Sequence, residues 1–448
     1  MMETDVLVIG SGPGGSSVAY QCAEAGRKVT VVDTIFGGTC ALRGCTPKKA
    51  MEAVTSVYWE AKAMEEAGFP KLIAPIHWHD LMAHQSKFTS LVPAKTKEKF
   101  TNKGITPIVG HASFIDAHTV QVGADKIRAQ HIVIATGAYP RKLDIPGFEY
   151  LLTNDDFFAL DELPEKVVVV GGGYIGFEMA HIMAACGTKV TILSSEDMPL
   201  SVFDSDLVAG LVQATLAKGI TVKLGYEAHN IEYNNDSYQV TAKRKDGKTF
   251  NYEGDLIIHA AGRVPAINEL GIDKLNLKTN NKNGIAVNKF LQPSNHDHIY
   301  ALGDVTGQLP FTEIASYEAD IVSHNILNDR RRSVNYEGVP FGVFTHPKLA
   351  MVGASEKLLE EKGIKYQLLS DSFDHSFMQR TKLNTHARYK TLVNESTGVI
   401  LGASILACSA DEMINLFSMA IQKSMTNREL KEILMLYPTS GQEVKSLV

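Results

Sequence analysis

The stretch "TDVLVIGSGPGGSSVAYQCAEAGRKVTVVD", residues 4–33, decides the fold. An apolar run from Val6 to Ile9 leads into glycines, then a segment with helical spacing, then a second apolar run ending on Asp33. That order predicts strand, turn, helix, strand. Gly10, Gly12 and Gly15 stand in the spacing G-x-G-x-x-G. The first glycine permits a tight turn, the second lets the backbone approach a pyrophosphate, and the third lets helix and strand pack closely. Asp33 stands where such a unit holds a ribose hydroxyl. A glycine turn without a ligand is the bland alternative, and the flanking strand and helix argue against it.

The unit recurs. "KVVVVGGGYIGFEMAHIMAACGTKVTIL", residues 166–193, carries Gly171, Gly173 and Gly176 in the same spacing. Two fingerprints predict two dinucleotides. After the first unit, "GGTCALRGC" (37–45) places Cys40 and Cys45 five apart in a chain with 5 cysteines. A structural disulfide, a metal site and a redox couple are the three readings. With 448 residues and 44% apolar content, a large core needs no staples, and so few cysteines suit a reducing compartment. A structural metal usually takes four ligands. Only one cysteine pair exists and His77 and His79 have no second cluster beside them, so no metal is expected. A flavin that takes a hydride from a nicotinamide and passes electrons to a thiol couple explains both dinucleotides and the cysteine pair. Cys22, Cys186 and Cys408 stand alone in apolar or small-residue surroundings and read as buried small hydrophobes.

Charge and hydropathy narrow the partners. With 44 basic against 50 acidic residues the net charge is −6, which leaves no basic footprint for nucleic acid. No run approaches the roughly 18 apolar residues of a membrane span, and the N-terminus lacks a signal-peptide pattern. A cytoplasmic protein is expected.

Further segments follow in order: "GGTCALRGCTPKK", "IVIATG" (132–137), "AAGRVPAINEL" (260–270), "HIYALGDVTG" (298–307) and "FTHPKLAMVG" (344–353). With the two fingerprints they resemble the pyridine nucleotide-disulfide oxidoreductases, which include glutathione reductase, dihydrolipoyl dehydrogenase and mercuric reductase. The resemblance covers nearly the whole chain. It implies an α/β fold with two Rossmann-like dinucleotide-binding domains, for FAD and NAD(P), plus an α+β C-terminal dimerisation domain. The implied order is residues 1–147 for FAD, 148–264 for the nicotinamide nucleotide, 265–337 returning to the FAD domain, and 338–448 at a homodimer interface.

The resemblance also implies roles. Cys40 would be the interchange thiol and Cys45 the thiol beside the flavin. Thr39, Thr136, Gly137 and Gly303 would line the FAD, with Asp304 on its ribityl chain. Arg263 would lie near the nicotinamide cofactor, and Tyr174 would cover the nicotinamide pocket. Lys48 would sit near the flavin and pair with Glu178. A thiolate is the reactive form of cysteine, and Arg43, Lys48, Lys49 and a helix opening after Cys45 would all favour it.

Two departures refine the expectation. At the end of the second fingerprint Ser194 replaces the acidic residue of NADH users, and Ser195 and Ser201 stand where glutathione reductases carry arginines. Serines do not repel a 2′-phosphate and can bond it, which favours NADPH, with NADH possible. Near the C-terminus the family's His-Pro-Thr reads Tyr437-Pro438-Thr439, with Gln442 at the spacing of the orienting glutamate and Glu443 one residue later. By analogy Tyr437 would reach the opposite subunit's site. A phenol, with a pKa of about 10, donates a proton far better than it accepts one at neutral pH, so disulfide reduction is favoured over dithiol oxidation. No cysteine follows Cys408, where mercuric reductases carry a second pair, so mercury is not an expected substrate. Tyr20 and Gln21 stand where glutathione reductases tend to have arginines, so another small disulfide or two-electron acceptor is expected. Two rivals are an oxidase or quinone reductase acting at the flavin, and a non-catalytic redox-sensing module.

Overall fold

Alternation along strand β1 (Met2–Ile9) sorts its apolar residues onto two faces. Val6 and Val8 pack with Val18, Ala19 and Cys22 of helix α1 (Pro13–Glu24) in one cluster. Leu7 and Ile9 join Phe114, Val120, Ile127 and Ile299 in another. A strand buried on both faces belongs in the middle of a layered α/β sheet. The computed structural model describes residues 1–71, 74–328 and 330–448, which form two compact units.

The first unit comprises residues 1–50, 82–141 and 262–335. Here β1 runs parallel to β2 (Val29–Asp33) on one side and to the Asp125–Ile134 strand on the other. Thr106–Val109 continues the parallel sheet beyond β2, and Ile299–Ala301 pairs with the C-terminal end of Asp125–Ile134. The other end of that strand carries the antiparallel hairpin of Ala112–Asp116 and Thr119–Val122. Parallel neighbours need a crossover, which α1 supplies between β1 and β2. Pro13 opens α1, where its missing N–H costs no helical bond. Two helices follow β2: the short α2 (Gly38–Arg43) and the 19-residue α3 (Cys45–Ala63), which opens in this unit.

The second unit comprises residues 51–81, 142–261 and 336–448. A four-stranded parallel sheet runs in the order Thr221–Leu224, Lys189–Ser194, Lys166–Val170, Leu256–His259. The Tyr174–Ala185 helix crosses between its first two strands in sequence and is buried on nearly all sides. An antiparallel meander, Tyr226–Asn234, Ser237–Arg244 and Thr249–Gly254, contributes Ile231, Val240 and Ala242 to the core around Val168 and Leu193. The C-terminal residues form a five-stranded antiparallel sheet from Pro340–Val343 to Ile400–Ala407. The Ala410–Gln422 helix packs Met413, Ile414, Phe417 and Ile421 with Val352 and Ile405 of that sheet. Residues 51–81 were expected in the first domain, yet they pack here. Trp59 Nε1 donates to His181 O at 3.2 Å and Trp78 Nε1 to Leu160 O at 3.0 Å.

Candidate active site

The glycines of the two turns divide by what surrounds them. A Cβ on Gly10, whose φ is +105°, would lie 2.2 Å from Ala135 O, and one on Gly15 would lie 2.0 Å from Gly10 O. In the second turn a Cβ on Gly171 would lie 2.2 Å from Ala260 O, and one on Gly176 would lie 2.6 Å from Gly171 O. Packing of the chain itself therefore demands glycine at the outer positions. The middle positions differ. A Cβ on Gly12 would meet nothing closer than 3.9 Å, and one on Gly173 nothing closer than 3.8 Å. Protein sterics leave those two glycines unexplained, and the close approach of a pyrophosphate explains both. Gly12 and Gly173 are also the N-caps of their helices and bring no capping side chain, as an anion site at a helix N-terminus requires.

Asp33 has a second task beside the one expected. Its Oδ2 accepts from Ser11 N and from Ser11 Oγ, each at 2.6 Å, and Ser11 Oγ accepts from Gly37 N at 2.9 Å. The carboxylate thus ties the glycine turn to the segment that enters α2. A carboxylate has about four acceptor sites, so a ribose hydroxyl remains within its capacity. Thr136 Oγ1 donates to Ala266 O at 2.8 Å, and Gly137 keeps a φ of +73° with open space around its Cβ direction. Arg263 Nη1 donates to Asp304 Oδ2 at 2.9 Å and its Nη2 to Ala138 O at 2.6 Å. Gly303 N donates to Glu318 Oε2 at 2.6 Å, with Glu318 buried. Arg263 and Glu318 therefore fix the turn that presents Asp304. No sequence signal marked Glu318, which lies on the Thr312–Leu327 helix.

The cysteine pair sits where α2 gives way to α3. Gly44 breaks the helix, and a Cβ there would come within 3.0 Å of Thr39 O. Cys40 and Cys45 are both free thiols, and Cys45 opens α3. Cys45 Sγ lies 3.4 Å from Thr312 Oγ1, at the start of the Thr312–Leu327 helix. The Cys40 thiol hydrogen-bonds to Cys45 and holds it down to about 5, with Thr312, Lys48 and Lys49 adding to the effect and burial opposing it. Cys40 is pushed up, first by that hydrogen bond and then by burial, so the pair carries one negative charge on Cys45. The remaining thiols contrast with it. Burial pushes Cys22 and Cys186 up to about 12 and Cys408 up to about 11.

In the second unit Glu178 is buried, and its Oε1 accepts from Phe344 N at 2.7 Å. Tyr174 begins its helix with its side chain partly exposed. Ser194 is 2% exposed and turns back on its own loop, with Glu196 N donating to its Oγ at 3.3 Å. Ser195 is exposed. Tyr437 is 69% exposed, its ring centroid 6.4 Å from that of Phe377. Glu443 is engaged elsewhere: its Oε1 accepts from Met378 N at 2.8 Å and its Oε2 from Gln379 Nε2 at 3.3 Å. Gln442 N donates to Thr439 Oγ1 at 3.2 Å. His77 and His79 are exposed beside Asp80. Among the described residues no helix is long and apolar enough to cross a membrane.

Residues 4–319 match the family model of the pyridine nucleotide-disulphide oxidoreductases, and residues 339–448 match that of their dimerisation domain. The chain is 30% identical to a dihydrolipoyl dehydrogenase of Geobacillus stearothermophilus, over 98% of this chain and 94% of the relative. It is 31% identical to a mercuric reductase of Staphylococcus aureus, over 99% of this chain and 81% of that one. Among solved structures, the Cu(II) complex of the HOCl-induced flavoprotein disulfide reductase RclA from Escherichia coli has a TM-score of 0.89 at 26% identity. That match covers 100% of this chain and 99% of the other.

Two outcomes follow from this geometry. Gly15→Ala should lower the melting temperature of the cofactor-free protein, because its Cβ meets backbone that cannot yield. Gly12→Ala should melt near wild type yet retain far less bound flavin, read from visible absorbance. Equal destabilisation by both would remove the argument for a ligand at Gly12.

Ultraviolet thiolate absorbance of the reduced protein should show one titration near pH 5 that disappears in Cys45→Ser. The folded value lies below the roughly 8.5 of an ordinary thiol, so ionisation of Cys45 stabilises the reduced fold. That contribution is complete above the unfolded value and is lost as the pH falls through about 5. A first thiol titration near pH 8.5 would refute the assignment.

Proposed function

The chain belongs to the pyridine nucleotide-disulphide oxidoreductases, whose members use FAD and NAD(P)H, and on that premise we propose that it reduces a small disulfide through Cys40 and Cys45. One observation carries the proposal. Of 5 cysteines, Cys45 has its thiol lowered, and it lies in the unit whose glycine turn is shaped for a pyrophosphate.

Gly12 and Asp33 would hold FAD, which would supply the two-electron chemistry that links the nicotinamide to the Cys40–Cys45 disulfide. The chain's own groups manage the charge that results. Cys45 holds the anion, with Thr312 and the lysines stabilising it, while Cys40 keeps the proton. Cys40 then gives up that proton and attacks one sulfur of a substrate R–S–S–R′, forming Cys40–S–S–R and releasing R′S⁻. The departing thiolate takes a proton from the hydroxyl of Tyr437 of the partner subunit, and the proton that Cys40 gave up restores that hydroxyl. Cys45 attacks Cys40 Sγ, which closes the protein disulfide and releases RS⁻ to be protonated by solvent. In sum, NADPH, one proton and a disulfide give NADP⁺ and two thiols.

The homodimer that this requires is supported by the dimerisation family and by the apolar segment around Tyr437. Leu434 is 95% and Leu436 78% exposed in the single chain, surfaces that a second copy would cover. Ser194 favours NADPH, since the strand ends on a neutral serine at the position where NADH users place a carboxylate that repels the 2′-phosphate. The cytoplasm, which keeps thiols reduced, is the compartment that suits this chemistry.

Coenzyme oxidation across small disulfides, quinones and oxygen tests the reading. Cys40→Ser should lose disulfide turnover and keep a long-wavelength absorbance band on reduction, whereas Cys45→Ser should lose the band. Disulfide turnover that survives Cys40→Ser would sink the proposal in favour of reaction at the flavin.

Tyr437→Phe should slow disulfide turnover and leave flavin reduction unchanged in rapid-reaction kinetics. General acid catalysis is typically worth about 10²–10⁴-fold, and a thiolate leaves readily, so a loss at or below the lower end is expected. Equal slowing of both half-reactions, or of neither, would reduce Tyr437 to a packing residue.

A further inference from the structure

The residues at and beside the spacing of an orienting glutamate are occupied elsewhere: Gln442 N donates to Thr439 Oγ1, and Glu443 is buried against Met378 and Gln379. The backbone around Tyr437 is nevertheless held. Thr439 Oγ1 donates to Leu436 O at 2.8 Å, a bond that spans Tyr437, and Lys445 Nζ donates to Ile433 O at 2.8 Å. A fixed backbone still leaves a side chain its staggered rotamers. With 69% of its surface exposed, Tyr437 has little packing to choose among them. Among the described residues its one ring contact is with Phe377, at 6.4 Å between centroids and 36° between planes. Rings tilted at that spacing attract each other.

Phe377 is itself fixed from the C-terminal segment. It opens the Phe377–Thr381 helix, which is too short to be stable alone. Glu443 Oε1 accepts from Met378 N, the neighbouring residue, at 2.8 Å, and its Oε2 accepts from Gln379 Nε2 at 3.3 Å. Gln379 Oε1 accepts in turn from Asn384 Nδ2 at 2.9 Å, and Glu443, Gln379 and Asn384 are all buried. Hydrogen bonds to a carboxylate are among the strong ones, so Glu443 sets where Phe377 stands. Yet Phe377 is 53% exposed, and burial in a core does not account for its ring. One chain segment thus carries the phenol and also, through Glu443, anchors the ring beside it.

We propose that Phe377 is the positioning residue for Tyr437, its ring restricting the phenol to the rotamer that presents the hydroxyl to the departing thiolate. The proposal rests on the reading of Tyr437 as a proton donor and supplies what orients it. An imidazole has two nitrogens, one for an orienting carboxylate and one for the substrate. A phenol has a single O–H, which cannot be given to a carboxylate and to a thiolate at once. Contact with the ring orients the group and leaves its proton free. No bond is made or broken at Phe377.

Position and chemistry are read separately in the full-length holoenzyme. With 3-fluorotyrosine in place of Tyr437, the fluorine resonance of the oxidised protein should lie away from that of the free amino acid. Phe377→Leu should return it toward the free value, and Phe377→Tyr, which keeps a ring, should hold it. In rapid-reaction kinetics Phe377→Leu should slow the disulfide half-reaction roughly two- to tenfold, which is what an aromatic pair is worth, and leave flavin reduction by NADPH unchanged. Phe377→Tyr should restore the rate. In the Tyr437→Phe background the leucine change should cost nothing further, because no phenol hydroxyl remains to be placed. A resonance indifferent to Phe377→Leu would overturn the proposal, as would an equal loss in both backgrounds. Dissociation of the dimer by Phe377→Leu would make Phe377 an interface residue and overturn it too. A resonance that responds while neither Tyr437→Phe nor Phe377→Leu slows the disulfide half-reaction would instead overturn the acid role of Tyr437 and leave the ring contact standing.

Discussion

The position of the redox pair depends on one close approach of backbone to backbone. A Cβ on Gly38 would lie 2.4 Å from Gly12 Cα, and Gly38 holds a φ of +70°. No other residue type fits that place. The approach is locked by the Asp33 carboxylate, which takes both donors of Ser11, while Ser11 Oγ takes the N–H of Gly37. Hydrogen bonds to charged groups are each worth about 1.5–3 kcal/mol, as the two to Asp33 are, and with the neutral bond from Gly37 they join the glycine turn, the end of β2 and the entry to α2. Cys40 lies two residues beyond that lock. The dinucleotide turn and the thiol pair are thus one rigid assembly.

Within that assembly the electrostatics are local and cumulative. Cys45 opens a helix, meets Thr312 at the opening of another, and has Lys48 and Lys49 on its own first turn. Helix N-termini and ammonium groups both favour an anion, and Cys40 supplies the hydrogen bond that counts most. In the three other thiols burial outweighs what nearby cations offer, Arg27 at Cys22 and three lysines at Cys408, and they stay protonated. Reactivity here is a property of position, since the residue type is the same at all 5 sites.

The two glycine turns share their steric logic and differ at the next strand. Asp33 is partly exposed and structural as well as available for bonding. Ser194 is buried, and a Cβ on Gly172 would sit 2.5 Å from its hydroxyl, so the second loop packs over the serine. A small neutral side chain lets that loop close where a carboxylate would need space and solvent. Near the C-terminus a similar separation appears. Glu443 is bound to the backbone of Met378 and to Gln379, so it does not itself orient Tyr437, which lies at the surface.

The sequence by itself determined the two fold-defining turns, because strand, glycine spacing and helix are consecutive and their periodicity is local. It also separated Cys40 and Cys45 from the three lone cysteines, whose apolar neighbours already implied burial. Resemblance to a family extended that reading to Asp304, Arg263 and Tyr437, where no local pattern distinguishes a ligand-facing residue from a surface one. Only the tertiary structure decided which groups tune them. Thr312 reaches Cys45 from 267 residues away, and Gln21 finds Asp320 at a separation of 299. Glu318 secures the turn of Asp304, and Glu443 holds Met378 from 65 residues away. Such partners meet because separate chain segments pack on one sheet, and a one-dimensional pattern carries no record of which helix faces will meet.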